Sequence, residues 1–82
     1  MTTHFKDVSE VFVQYANKAN GEDRSIFKNP ERVTISDNGY VVIEMKPVDG
    51  EDKEGNPIQA CPTHIIPFIN IVHMRVDELV RL

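Results

Sequence analysis

Apolar residues near the start of the chain recur at helical spacing. Val8, Val11, Phe12, Tyr15, Ala16 and Ala19 fall at i, i+3, i+4, i+7, i+8 and i+11. That spacing gathers them on one face of a helix, with Lys6, Glu10, Gln14, Asn17 and Lys18 largely opposite. Asn20-Gly21 then supplies the left-handed stop that helix ends favour, so the pattern predicts a helix from Phe5 to Asn20.

Gly21 to Ser25 reads as a polar connection, and from Arg32 the period changes to two. Ser25 to Lys28 reads as a short strand, and Asn29-Pro30 forces a turn. Val33 and Ile35 alternate with Thr34 and Ser36, and Asp37-Asn38-Gly39 gives a hairpin turn into Tyr40 to Val48. Val41, Ile43 and Met45 share one face of that strand. Asp49 to Pro57 reads as a charged loop, Ile58 to Ile66 as a strand interrupted by Pro62, and Pro67 to Asn70 as a turn. In the last strand, Ile71 to Val76, the alternation points Val72, Met74 and Val76 inward and His73 and Arg75 outward. Residues 77–82 read equally as a helical turn or a trailing end. Pro47 and Pro62 cannot donate to a ladder, so each marks an edge, a bulge or a bend. Sheets bent at such points curl toward barrels. The expected architecture is a single α+β, mainly β, domain over residues 1–82. Its N-terminal helix (5–20) packs on a small, strongly bent antiparallel sheet of about five strands (25–76).

Eighty-two residues are too few for two cores, and a chain this short buries only roughly 60% of its unfolded surface. A lone subunit is therefore expected to be marginal, and association with further copies is a natural remedy. The single cysteine, Cys61, excludes an internal disulfide framework. No signal-peptide core precedes Asp7, and the longest apolar run, Ile65 to Ile69, contains a proline and is too short to span a bilayer. The expectation is a cytoplasmic protein without membrane partners. A net charge of −4 argues against non-specific nucleic-acid binding but leaves room for a local site. Five carboxylates lie between Glu44 and Glu54, while Arg24, Lys28 and Arg32 form a modest basic stretch.

Candidate chemistry is sparse. Cys61 and His64 have a C-x-x-H spacing, but structural zinc needs four ligands and no second pair is present. At i and i+3 on a strand these two side chains also diverge, which disfavours a nucleophile–base pair. Asp49, Glu51, Asp52 and Glu54 lack the spacing and closing glutamate of an EF-hand, and Gly50 and Gly55 sit in an acidic loop that repels phosphate. No catalytic residue, metal or cofactor is expected. What stands out is the tail, two apolar strands joined by a tight turn, whose last strand carries little edge protection. Such an edge invites another chain, and Ile71, Val72, His73, Met74 and Arg75 are the candidate subunit interface.

This layout resembles the Sm/LSm-like family, including its short marine-phage-type members. A helix precedes bent strands near Ser25, Arg32, Tyr40, Ile58 and Ile71, and Asp49 to Pro57 is similar to the family's variable fourth loop. The tail Ile65-Ile66-Pro67-Phe68-Ile69-Asn70-Ile71-Val72 is similar to its second motif, with Pro67-Phe68 where Arg-Gly is usual. Asp37-Asn38-Gly39-Tyr40 contracts its first motif. The resemblance implies a non-enzymatic ring of about five to seven subunits that holds single-stranded RNA or DNA, in RNA processing for example. By the same resemblance Asp37, Asn38, Tyr40, Phe68 and Asn70 would meet the bases: an aromatic stacks, and Asn donates and accepts. The competing expectation is an acidic interaction or scaffold module, such as a phage protein that binds a host factor in the bacterial cytoplasm.

Overall fold

The stretch expected to be a helix is a strand. The computed structural model describes residues 1–19 and 21–82, and no α-helix occurs among them. In order they form β1 (Thr3–Phe5), β2 (Val8–Ala19), β3 (Glu22–Lys28), β4 (Arg32–Ser36), β5 (Tyr40–Glu44), β6 (Val48–Glu51), β7 (Pro57–Ala60), β8 (Thr63–Pro67), a 3-10 turn (Phe68–Asn70) and β9 (Ile71–Glu78). The expected α+β architecture, with a helix over 5–20 on an Sm-like sheet, is thereby overturned. Nearly all of the protein is β, in sheets ordered β1-β4-β5-β8, β3-β2-β9 and β6-β7. Asn20, the expected helix stop, lies outside the described residues.

A bulge explains why β2 imitates a helix. Val8 pairs with Glu78 and Glu10 with Asp77, so two steps along β2 oppose one along β9. The extra residue resets the alternation. Val8 and Val11 are both buried although they stand three apart, and regular alternation then buries Val13. Val13, off the supposed helical face, is fully enclosed. The composition agrees, since three valines and two aromatics between Val8 and Tyr15 suit a pleated surface better than a helix.

The first four strands are one long hairpin, bent once. Phe5 pairs with Val33, the Asn29 N–H donates to the Ser9 carbonyl at 2.8 Å, and Glu10 pairs with Lys28, so the register runs unbroken through the corner. Asn29 turns that corner in the left-handed region, with φ 52°, which asparagine tolerates. Pro30, buried beside it, has no N–H to satisfy. The bend folds the two halves of the hairpin into different sheets. Their inner faces then close on one core: Val8, Val11, Val13 and Phe27 from one side, Val33, Val41, Ile43 and Ile66 from the other.

Further on, β5 and β8 pair from Tyr40↔Pro67 to Glu44↔Thr63. The pairing breaks at the prolines, and a Met45 N–H to Pro62 carbonyl bond of 2.8 Å bridges the break. Beyond it the chain does not form a loop over 49–57. Strands β6 and β7 continue as a two-stranded arm, Val48↔Ala60 to Glu51↔Pro57. A 3-10 turn carries β8 over to β9, which returns to pair with β2. Here a second bulge corrects the expected facing. Gln14 pairs with His73 and Tyr15 with Ile71, which leaves Val72 without a register partner. Ile71, Met74 and Val76 pack against the core, whereas Val72 is 64% exposed.

Substitution separates these two positions. Ile43→Ala, in the fully enclosed centre, is expected to lower unfolding free energy by about 2–5 kcal/mol. Val72→Asp should cost the isolated subunit about 1 kcal/mol or less, because the charge stays in water. Urea unfolding at low protein concentration measures both, and equal costs would refute the β9 register.

Candidate functional site

Three surfaces carry the candidate residues. The first is the end of the molecule where the β4–β5 turn meets the 3-10 turn. Asp37-Asn38-Gly39 is a three-residue hairpin loop in which Gly39 takes the left-handed conformation, with φ 93°. The buried Ser36 hydroxyl accepts from the Asn38 N–H at 3.1 Å, and the Ser36 carbonyl accepts from the Gly39 N–H at 3.2 Å. Phe68 then donates its N–H to the Gly39 carbonyl at 2.8 Å, while Tyr40 pairs with Pro67. The fold therefore brings all five sequence-derived residues, Asp37, Asn38, Tyr40, Phe68 and Asn70, to one end. Asp37 is engaged by the Met1 amino group. Ile69, which sequence reasoning passed over, is 86% exposed and extends the apolar tip begun by Phe68.

The second surface is β9 and the outer face of its sheet. β9 pairs with β2 along one edge, and no described strand pairs with the other. Of the candidate interface residues, Ile71 and Met74 face the core, while Val72, His73 and Arg75 are exposed. On the outer face Phe12 lies between His73, at 6.1 Å between ring centroids, and Arg75, whose guanidinium carbon stands 5.5 Å from the ring centroid. That cation–π contact contributes on the order of 0.5–1 kcal/mol. Arg75 is held in place by Glu10 at 3.0 Å and Asp77 at 3.2 Å. Ile26 sits directly opposite Phe12 on β3, and Lys28 and Arg24 flank it. Arg24 is bound to Asp23 at 3.1 Å, and this hydrogen-bonded pairing raises its pKa above the ordinary arginine value.

The third surface is the arm. Its register places Val48, Gly50, Ile58 and Ala60 on one face and Asp49, Glu51, Pro57 and Gln59 on the other. All eight strand residues are exposed, including Val48 at 53% and Ile58 at 45%. At the tip the Asp52 carboxylate takes over from the ladder. It accepts from the N–H groups of Asn56 at 2.8 Å and Glu54 at 2.9 Å and from the Asn56 amide at 3.3 Å. Gly55 closes the turn with φ 83°. Chiefly through the Asn56 N–H, these donors hold the Asp52 carboxyl below its ordinary value, against a smaller effect of desolvation. Sequence reasoning read this segment as a solvated loop because its charges dominate. The signal it passed over was the matched alternation Val48-x-Gly50 and Ile58-x-Ala60 about a glycine turn.

Among the described residues no three His, Cys, Asp or Glu side chains gather as metal ligands. An open groove runs along Gly21–Phe27. Cys61 is exposed, and His64 turns its ring to Phe27, 4.8 Å between centroids, where it helps close the two sheets. No described helix is long and apolar enough to cross a membrane. No family model, curated protein or solved structure matches the chain.

The arm tip has a pH dependence whose sign follows from Asp52. Its folded pKa is lowered, so ionisation stabilises the turn. That stabilisation is complete above the unfolded value of about 3.9 and is lost as pH falls through the depressed folded value. Asp52→Ala should accelerate amide exchange of Glu54 and Asn56 near neutral pH and leave Val41, in the core, unchanged. Unaltered exchange at the tip would show that the carboxylate does not organise it.

Proposed function

We propose that the protein is a non-enzymatic assembly module that binds further copies of itself by adding strand to strand along the free edge of β9. One observation carries this reading. The chain exposes 6212 Å², whereas a folded monomer of its size exposes about 5,000 Å², leaving a surplus of roughly 1,200 Å². A stable protein interface covers about 800 Å² on each partner, so the surplus matches what association would remove.

The free edge fits a strand partner. Main-chain N–H and C=O groups along an unpaired edge are ready to extend the sheet, and the exposed Val72 lies on it beside His73 and Arg75. Repetition of one such contact between identical copies closes a ring where the rotation permits and otherwise grows a filament. The accessible, unpaired Cys61 thiol suits a reducing compartment such as the cytoplasm.

A second reading is binding of single-stranded nucleic acid at the turn end. It is favoured by the convergence of Asn38, Tyr40, Phe68 and Asn70 on one tip, where the exposed Phe68 offers a stacking platform and the two asparagines offer base-edge partners. Acidic Asp37 in the same turn weighs against contact with phosphate.

Light scattering across a dilution series tests the first reading. The protein should form a discrete or growing oligomer, and Val72→Lys should raise the concentration needed by about tenfold or more. A monomer at every concentration would end the proposal. Titration of single-stranded RNA at two salt concentrations tests the second. Binding should weaken with salt and with Phe68→Ala, and no binding at low salt removes it.

A further inference from the structure

A two-stranded hairpin is marginal in water, whereas three strands with an apolar face can hold, yet the arm stands clear of the core. The radius of gyration is 14.5 Å, against about 12 Å for a compact chain of this length. One face of the arm presents Val48 and Ile58 with the small Gly50 and Ala60, and neither outer edge has a described strand beside it. The two edges differ. β7 opens on Pro57, which has no N–H to offer, while β6 contains no proline. The apolar face is also open at Gly50, where a side chain would meet nothing within 4 Å. The vacant place is that of a third strand along β6.

The chain also holds a segment with nothing to pair with. β9 ends at Glu78, and the Leu79 N–H donates to the Asp7 carbonyl at 2.7 Å. Residues 80–82 belong to no described strand or helix, form no backbone hydrogen bond among the described residues, and are exposed. Three residues make a strand in this fold, as β1 does against β4. Extended, the segment puts Val80 and Leu82 on one side and Arg81 on the other. β6 is divided the same way, with Val48 and Gly50 on the apolar side and Asp49 and Glu51 on the acidic side. Charge agrees. Residues 48–60 carry four carboxylates against one lysine, so two arms repel each other while Arg81 is attracted. Neither Arg81 nor Glu51 has a side-chain hydrogen bond or ion pair among the described residues, and Asp49 holds only the Gln59 amide, at 3.1 Å.

We propose that residues 80–82 of one copy add to β6 of a second copy as a third, antiparallel strand of the arm. Leu82 faces Val48, Val80 covers Gly50 beside Ile58, and Arg81 stands opposite Asp49 and diagonal to Glu51. The exchange is reciprocal. Leu79 and Lys46 line one cavity of about 300 Å³, so the segment leaves the body beside the base of the arm, and a two-fold pair gives and receives both segments at once. This contact rests on the reading that copies of the chain associate, and it is separate from the β9 edge.

The experiment uses the full chain carrying Cys61→Ser, with either Gly50→Cys or Val80→Cys added. Opposite residues of neighbouring strands lie within disulfide reach. Mixed and mildly oxidised, the two variants should form a covalent dimer joining one to the other, in excess over either variant alone. In light scattering, Arg81→Glu should weaken association about tenfold. Asp49→Lys combined with Glu51→Lys should do the same, and all three substitutions in one chain should restore it. These side chains lie outside the core, so circular dichroism of each variant should keep the wild-type β signal. An oligomer without the mixed disulfide, or one indifferent to Arg81→Glu, overturns the strand exchange and leaves the β9 edge standing. A disulfide formed only within a chain carrying both Gly50→Cys and Val80→Cys places the segment on its own arm and overturns the exchange too. The mixed disulfide, with association unaffected by Val72→Lys, upholds the exchange and removes the edge. A wild-type monomer at every concentration removes both.

Discussion

The structure depends on a bend in one long hairpin. A flat antiparallel ribbon of Thr3–Ser36 would have a single apolar face and nothing to close it. The corner between Ser9 and Asn29 turns the second half of the ribbon over the first, so that Val11 and Val13 of one half meet Val33, and with it Val41 and Ile43, from the other. The hydrogen-bond register survives the corner, so the bend sacrifices little of the ladder while it creates the core. What makes this possible is local: a left-handed Asn29, a proline with no N–H to satisfy, and a bulge at Ser9 that lets the backbone turn without losing pairing.

The same rolling decides what is left outside. A ribbon wrapped around eight buried apolar residues has two ends that do not meet as paired strands, and β9 forms one of them. Past the Pro47 and Pro62 breaks, the β5–β8 hairpin outruns the core and becomes the arm. The exposed apolar positions are thus consequences of geometry: Val72 is expelled by a bulge, Val48 and Ile58 by overrun, Ile69 by the 3-10 turn. Exposed surface beyond that of a compact chain is the common result.

Several polar residues on these surfaces brace local structure. Asp52 serves the arm tip, Ser36 the β4–β5 turn, and Glu10 with Asp77 fixes Arg75 over Phe12. Each carboxylate or hydroxyl satisfies local backbone or a neighbouring charge.

Much of the later chain was legible in the sequence. Strict alternation marks the strands around Val33, Val41 and Ile43, Asn38-Gly39 marks their turn, and Pro47 and Pro62 mark the breaks. These signals are local, set by side-chain period and backbone stereochemistry. The same reading also named Asp37, Asn38, Tyr40, Phe68 and Asn70, which the fold gathers at one end. Two things only the tertiary structure decided. One is the identity of β2: at bulged strands the inward period stretches from two to three, and Val8-x-x-Val11 then reads as a helix face. Only the pairing partners Lys28 and Asp77, distant in sequence, distinguish the two. The other is which apolar residues are covered, since Val72, Val48 and Ile58 are as hydrophobic as the core. Burial is a property of what packs opposite, which a single chain's sequence states only through its fold.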